Sequence, residues 1–185
     1  MYPEFIFGET FIWTTTVTME AFAGFQKFRG RNERTDPPAI CNGECEITLQ
    51  GEIDESVEPS EEGKRKINWL IENQHDVVSS ALDALFKEYE SIRDEYGEYY
   101  REDTGLELPD IDAPEELKQL VGDIEIVVHR RVSGERPYIG ILANCAWERE
   151  HGLGWLMLGN EVRIITDVQM AMADYVVDGD AKKIK

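Results

Sequence analysis

Residues 123–168 read DIEIVVHRRVSGERPYIGILANCAWEREHGLGWLMLGNEVRIITDV, and they decide the fold class. Ile124, Ile126 and Val128 alternate, the period-2 pattern of a strand with one buried face. Ile139, Ile141, Ala143, Cys145 and Trp147 repeat the pattern along the next segment. Gly159-Asn160 is a two-residue hairpin signal. The spacing predicts an antiparallel meander of strands over 123–132, 137–147, 153–158 and 161–168. Between the second and third of these lies EREHG, the loop of the stretch WEREHGLGW. Gly152 is placed there to take a positive φ, and Gly154 to let backbone or a neighbouring ring approach closely.

Upstream, residues 60–97 read as helix. Ser60 followed by Glu61 and Glu62 is an N-terminal signature. Ile67, Leu70, Ile71, Val78, Leu82, Leu85, Tyr89, Ile92 and Tyr96 form one stripe at helical spacing. Unbroken, that helix would run about 55 Å, more than a domain of this size covers. It therefore breaks near Asn73-Gln74-His75-Asp76 or projects its acidic end. Gly97, Gly105, Pro109 and Pro114 mark a loop before a short helix at 114–121.

Residues 3–53 read as strands. Gly8-Glu9 can turn a hairpin, and Phe11, Trp13, Thr15, Val17 and Met19 share a face. GRNERTDPP is a polar loop, and Asn42-Gly43 a second hairpin turn. On that reading Cys41 and Cys45 point to opposite faces and cannot bridge; the three cysteines, with Cys145, are read as reduced. The fold class is α+β: an antiparallel sheet of N-terminal strands plus the four-stranded meander, packed against a long helix or helix pair. One domain spans 1–178, with 179–185 a flexible tail.

Composition bounds the function. A chain of 185 residues is one ordinary domain that buries roughly 70% of its unfolded surface without metal or disulfide. The first residues, MYPEFIFGETF, lack the basic and apolar regions of a signal peptide, and no segment approaches a membrane span. A cytoplasmic location is expected. There are 38 acidic residues against 19 basic, a net charge of −19. Between Glu88 and Glu116, twelve carboxylates oppose only Arg93 and Arg101, a net of −10. That field disfavours nucleic acid and anionic membranes and attracts a basic protein. Glu95, Glu98, Glu102 and Asp103 are the candidate partner-binding residues.

The chemistry-bearing residues are Glu148, Glu150 and His151. They sit on a loop rather than on one helical face, so the two-histidine zinc logic of a helix does not apply. They read first as a structural turn framed by Trp147, Gly152 and Gly154, with a carboxylate accepting backbone N–H groups and His151 packed on Trp147 or Trp155. The competing readings are a metal site or an acid/base pair. His75 lies on the long helix and His129 on the outward face of a strand beside Arg130 and Arg131. No nucleophile elbow, phosphate loop, dinucleotide fingerprint or EF-hand spacing is present, and no cofactor is expected.

WEREHGLG, preceded by YIGILANCAW, resembles a family of uncharacterised bacterial domains with a late W-[DE]-x-E-H-G-L-G signature. TTTVTMEAFAG, WLIENQHDVVSSALDALFKEY and LPDIDAPEELKQLVGDIEIVV are similar to it as well. The resemblance implies a bacterial α+β domain and carries no activity. Two function classes remain. One is a non-catalytic, acidic protein-binding domain, in its sharpest form immunity- or antitoxin-like toward a basic partner. The other is a small metal-assisted hydrolase using His151 with Glu148 and Glu150.

Overall fold

A computed structural model of the protein describes residues 5–7, 13–29, 33–50 and 59–184. Its strands are β1 (Ile6–Phe7), β2 (Trp13–Arg29), β3 (Glu33–Leu49), β4 (Val121–Ser133), β5 (Arg136–Cys145), β6 (Leu153–Leu158) and β7 (Glu161–Thr166). Among the described residues they form one seven-stranded sheet in the order β1 to β7. Every neighbouring pair is antiparallel except β3 and β4, which run parallel with Glu46 opposite Glu125 and Leu49 opposite Val128. A parallel pair needs a crossover. Here it consists of α1 (Glu61–Glu72), α2 (Gln74–Thr104) and a 3₁₀ turn at Pro114–Gln119. The α+β class and the meander stand; the two halves of the sheet are joined where β4 runs parallel to β3 and, at Gln26 opposite Gly122, also to β2.

The helical stripe packs as its spacing requires. Ser60 Oγ accepts from Gly63 N at 3.0 Å to start α1. The helix breaks at Asn73, whose side-chain amide donates to the Trp69 carbonyl at 2.7 Å. Gln74 then ties the elbow to the sheet: its amide donates to Ile71 O, and its Oε1 accepts from Ala21 N of β2. Ile67, Leu70, Leu82, Leu85 and Tyr89 are all buried in the main core. Trp155 of β6 donates its indole N–H to Ala81 O at 3.1 Å, fixing where α2 crosses the sheet. The α2 helix does not end at Gly97. It runs on to Thr104 and is closed by Gly105 at φ 72°. A Cβ at Gly97 would meet nothing within 4 Å, so this glycine costs only its propensity, about 1 kcal/mol.

The N-terminal strands differ from the reading of local turns. Asn42-Gly43 is not a hairpin turn; both residues lie inside the continuous strand β3. Gly43 (φ 93°) sits at an irregularity where β2 bulges from Met19 to Phe22, and a Cβ there would fall 2.5 Å from Met19 O. Positive φ serves a bulge as well as a turn. Cys41 and Cys45 therefore share the buried face of β3 instead of facing apart, and all three cysteines are free thiols. Residues 33–38, expected as loop, belong to β3. Pro37 and Pro38 fall in a register shift between Arg34 and Ala39, where no ladder N–H is required. The Gly8-Glu9 turn lies outside the described residues.

The second face of the sheet is also covered. α3 (Val168–Ala171) and α4 (Asp174–Ala181) fold back across β4, β5 and β6. Tyr138, Leu156, Leu158 and Val177 form one cluster there, and Val127, Leu142 and Ala171 another. The chain from Gly179 is thus not a free tail: helix continues to Ala181, and buried Asp180 accepts from Tyr138 Oη and from the Arg163 guanidinium. Burial pushes the Asp180 carboxyl up, but these bonds outweigh it and hold its pKa below 3.8.

His129 is the second correction on this face. It does not point to solvent but is fully buried, with Nε2 3.0 Å from the Ala171 carbonyl and Nδ1 3.4 Å from Asp174. Burial drives its pKa below 6.5, against the raising pull of Ala171 and Asp174, and Lys66 adds to the lowering. Folded protein then binds fewer protons at this site than unfolded protein. Stability should be held above about pH 6.5 and fall below it until the native imidazole also protonates. Urea midpoints at pH 7.5 and 5.5 check this. Wild type should lose more on acidification than His129→Gln, whereas Asp180 acts only below about pH 4. Equal losses in the two proteins would assign the effect elsewhere.

Candidate functional site

The loop 146–152 joins β5 to β6 and is built from its own backbone. The N–H groups of Glu150 and His151 donate to Glu148 Oε1 at 2.8 and 3.2 Å. Cys145 Sγ donates to Glu148 O at 3.4 Å, and burial pushes this thiol up to about 12. Val168 N donates to His151 O at 3.1 Å, tying the loop to the start of α3. Gly152 takes φ 66°, and a Cβ on it would stand 2.7 Å from Ala143 O. At Gly154 a Cβ would meet Asp167 O at 2.5 Å and the Ala171 Cβ at 2.6 Å. Both glycines let α3 lie against β5 and β6.

Part of the loop's polar chemistry is taken up in holding its own shape. Glu148 spends an oxygen on two backbone donors, as a turn-closing carboxylate does. His151 is exposed, its Nδ1 3.6 Å from Glu148 Oε1. Among the described residues no group of three or more His, Cys, Asp or Glu side chains is gathered as a metal would require. Trp147 is buried and stands edge-on to Tyr89, ring centroids 6.1 Å apart.

The loop also forms one wall of a cleft. The last turns of α2 supply the other wall, because the helix continues past Gly97 alongside the loop. The cleft holds about 630 Å³ and is lined by Tyr96, Tyr99, Tyr100, Glu102 and Asp103 of α2 and by residues 146–150 of the loop. A smaller hollow of about 320 Å³ continues from it past Tyr96, Trp147 and Glu148 to His151 and Asp167. Glu102, Asp103, Glu148 and Glu150, from two separate stretches of sequence, thus come together. Glu95 and Glu98 do not line the cleft; Glu98 lies 3.9 Å from Arg101. Arg149 spans the two walls with an ion pair to Asp103. Burial raises the Tyr96 phenol, and the charges of Glu95 and Glu148 raise it further.

Tyr99, Tyr100 and Arg149 were not among the residues picked out by sequence, and Tyr96 was read only as the end of the helical stripe. Tyr96, Tyr99 and Tyr100 follow i, i+3, i+4 spacing, a signal available only if the helix is carried through Gly97. Tyr99 is 69% exposed, a large aromatic ring left in solvent at the cleft mouth. The cleft therefore combines aromatic surface, carboxylates at its edge and one internal guanidinium.

Comparison with known proteins adds a family and no activity. Residues 18–171 match the model of a domain of unknown function, DUF6985. No curated protein and no solved structure matches the chain. No helix among the described residues is long and apolar enough to cross a membrane.

Proposed function

We propose, from the premise that this chain belongs to the DUF6985 family of domains of unknown function, that it is a non-catalytic binding domain for a basic protein. The observation that carries the reading is the cleft: aromatic side chains and carboxylates from α2 and the β5–β6 loop meet on the most acidic part of the molecule. The acidic segment 88–116 supplies long-range attraction, which raises encounter rates by about 10 to 1,000-fold at low salt. The cleft supplies short-range fit. An immunity- or antitoxin-like role in a bacterial cytoplasm is the sharpest form, in which the acidic face covers a basic toxin surface.

Charge reversal tests the reading. Changing Glu95, Glu98, Glu102 and Asp103 to Lys alters exposed groups, so the fold should survive. Proteins retained from the native lysate are compared for wild type and the reversed variant, and association of the identified partner is followed at low and high salt. The expected partner is basic, binds at least 10-fold more slowly to the reversed variant, and loses on-rate as the Debye length falls from about 10 Å at 0.1 M to about 3 Å at 1 M. An identical retained set for both proteins would remove the acidic face from the function. Stoichiometric zinc or manganese in the purified protein would instead favour the hydrolase centred on His151, Glu148 and Glu150.

A further inference from the structure

We infer that the cleft between the end of α2 and the β5–β6 loop is a receptor for an arginine side chain of a basic polypeptide, and that Arg149 is its internal stand-in. This rests on the binding reading above and narrows it to one recognised group. The cleft's surface is chemically mixed in a specific way. Tyr96 and Trp147 give it aromatic surface, and Tyr99 exposes a ring at its mouth. Glu102, Asp103 and Glu150 give it carboxylates. An anion would meet like charge, and a neutral apolar group would strip water from carboxylates without replacing it. A cation over aromatic faces satisfies both features.

The choice of guanidinium over ammonium follows from shape and hydration. A guanidinium is planar, stacks on aromatic rings and forks onto carboxylates, and it is more weakly hydrated than an ammonium. The protein already demonstrates the match, because the Arg149 guanidinium pairs with the Asp103 carboxylate at this site. Glu102 and Glu150 have no ion-pair partner among the described residues, so the cleft retains negative charge with Arg149 in place. Arg149 and Asp103 are 39% and 46% exposed, and an exposed ion pair is readily exchanged for another of the same kind.

Arg149 is then a competitor. An incoming arginine meets its positive charge and must share or take over Asp103. Removing Arg149 from the loop should tighten binding, and it should do so more than removing an equal positive charge from the facing helix α2. Arg101 is the matched control: it sits on the same final turns of α2, pairs with Glu98 and Glu107, and does not line the cleft.

The test titrates the full chain with a blocked Gly-Arg-Gly-Arg-Gly peptide, its lysine counterpart and its citrulline counterpart, read by calorimetry and by Trp147-dependent fluorescence. Wild type should prefer the arginine peptide to lysine by a few-fold and bind citrulline least. Arg149→Gln should tighten the arginine peptide by about five-fold, the upper worth of an exposed ion pair, and Arg101→Gln by less than two-fold. Tyr99→Ala, at an exposed position that the fold does not need, should weaken it. Equal affinity for all three peptides, no binding of the arginine peptide by wild type or Arg149→Gln, or equal tightening by Arg149→Gln and Arg101→Gln would each overturn the arginine site. The two proposals separate cleanly. If the native partner is lost on charge reversal but held unchanged by Tyr99→Ala and Arg149→Gln, the acidic face stands and the arginine receptor falls.

Discussion

Replacing Leu85 with alanine should cost about 2–5 kcal/mol of stability, and Leu82→Ala nearly as much. Leu85 is fully buried and Leu82 is 1% exposed, both on the face of α2 that lies over the sheet. Truncation removes buried methyl groups and leaves a cavity that neighbours on a rigid sheet cannot collapse to fill. The effect reaches the cleft. Tyr96, Tyr99 and Asp103 stand opposite the β5–β6 loop only because Leu82, Leu85 and Tyr89 hold the preceding turns of the same helix down. Urea midpoints measure it, with exposed Glu88→Ala as the control expected within about 0.5 kcal/mol of wild type. Midpoints for both leucine variants that match the control would sink the packing of α2 described above.

Gly152→Ala should be the most damaging change in the loop, at about 2–5 kcal/mol. Two costs add. An L-residue in the left-handed region costs about 1–2 kcal/mol. The new methyl would also stand 2.7 Å from Ala143 O and 3.0 Å from a Val168 methyl, and overpacking of this kind costs about 1–3 kcal/mol. His151→Ala, one residue earlier and exposed, should fall within about 0.5 kcal/mol of wild type. Thermal melts of the two variants side by side decide it. If the histidine variant loses as much as the glycine variant, the loop is not the backbone-built turn that its hydrogen bonds describe.

The parts of this fold legible in the sequence are those whose signals are local and unambiguous. Ile124, Ile126 and Val128 alternate because one face meets the core, and Gly159-Asn160 turns between β6 and β7. The stripe from Ile67 to Tyr89 could only be a buried helix face. Other signals were local but ambiguous. Asn42-Gly43 offers a positive φ equally to a hairpin and to a bulge, and only the partner strand β2, with its own extra residues, selects the bulge. Gly97 looked like a stop because glycine disfavours helix. The helix passes through it because neighbouring turns are already fixed. His129 shows the limit of strand alternation: it does face away from the main core, but α3 and α4 return from some 40 residues later to cover it. The cleft was hidden for the same reason. Its two walls were each singled out, yet nothing in either stretch says that they meet.

The parallel seam between β3 and β4 has a consequence for the order in which the protein is made. Leu49 ends β3 and Val121 begins β4, so roughly 70 residues must leave the ribosome before the seam can close. At about 5–20 residues per second that interval is about 4–14 s. Throughout it, the side of β3 destined for β4 presents unpaired N–H and C=O groups, a template on which another nascent chain can pair. Closing so distant a pairing also makes this a slow step even for a full-length chain. The crossover helix is synthesised inside that window and is the first element able to lie over the open sheet. Its leucines thus protect yield as well as stability, and a weakened α2 would be felt first as protein lost to aggregation during synthesis.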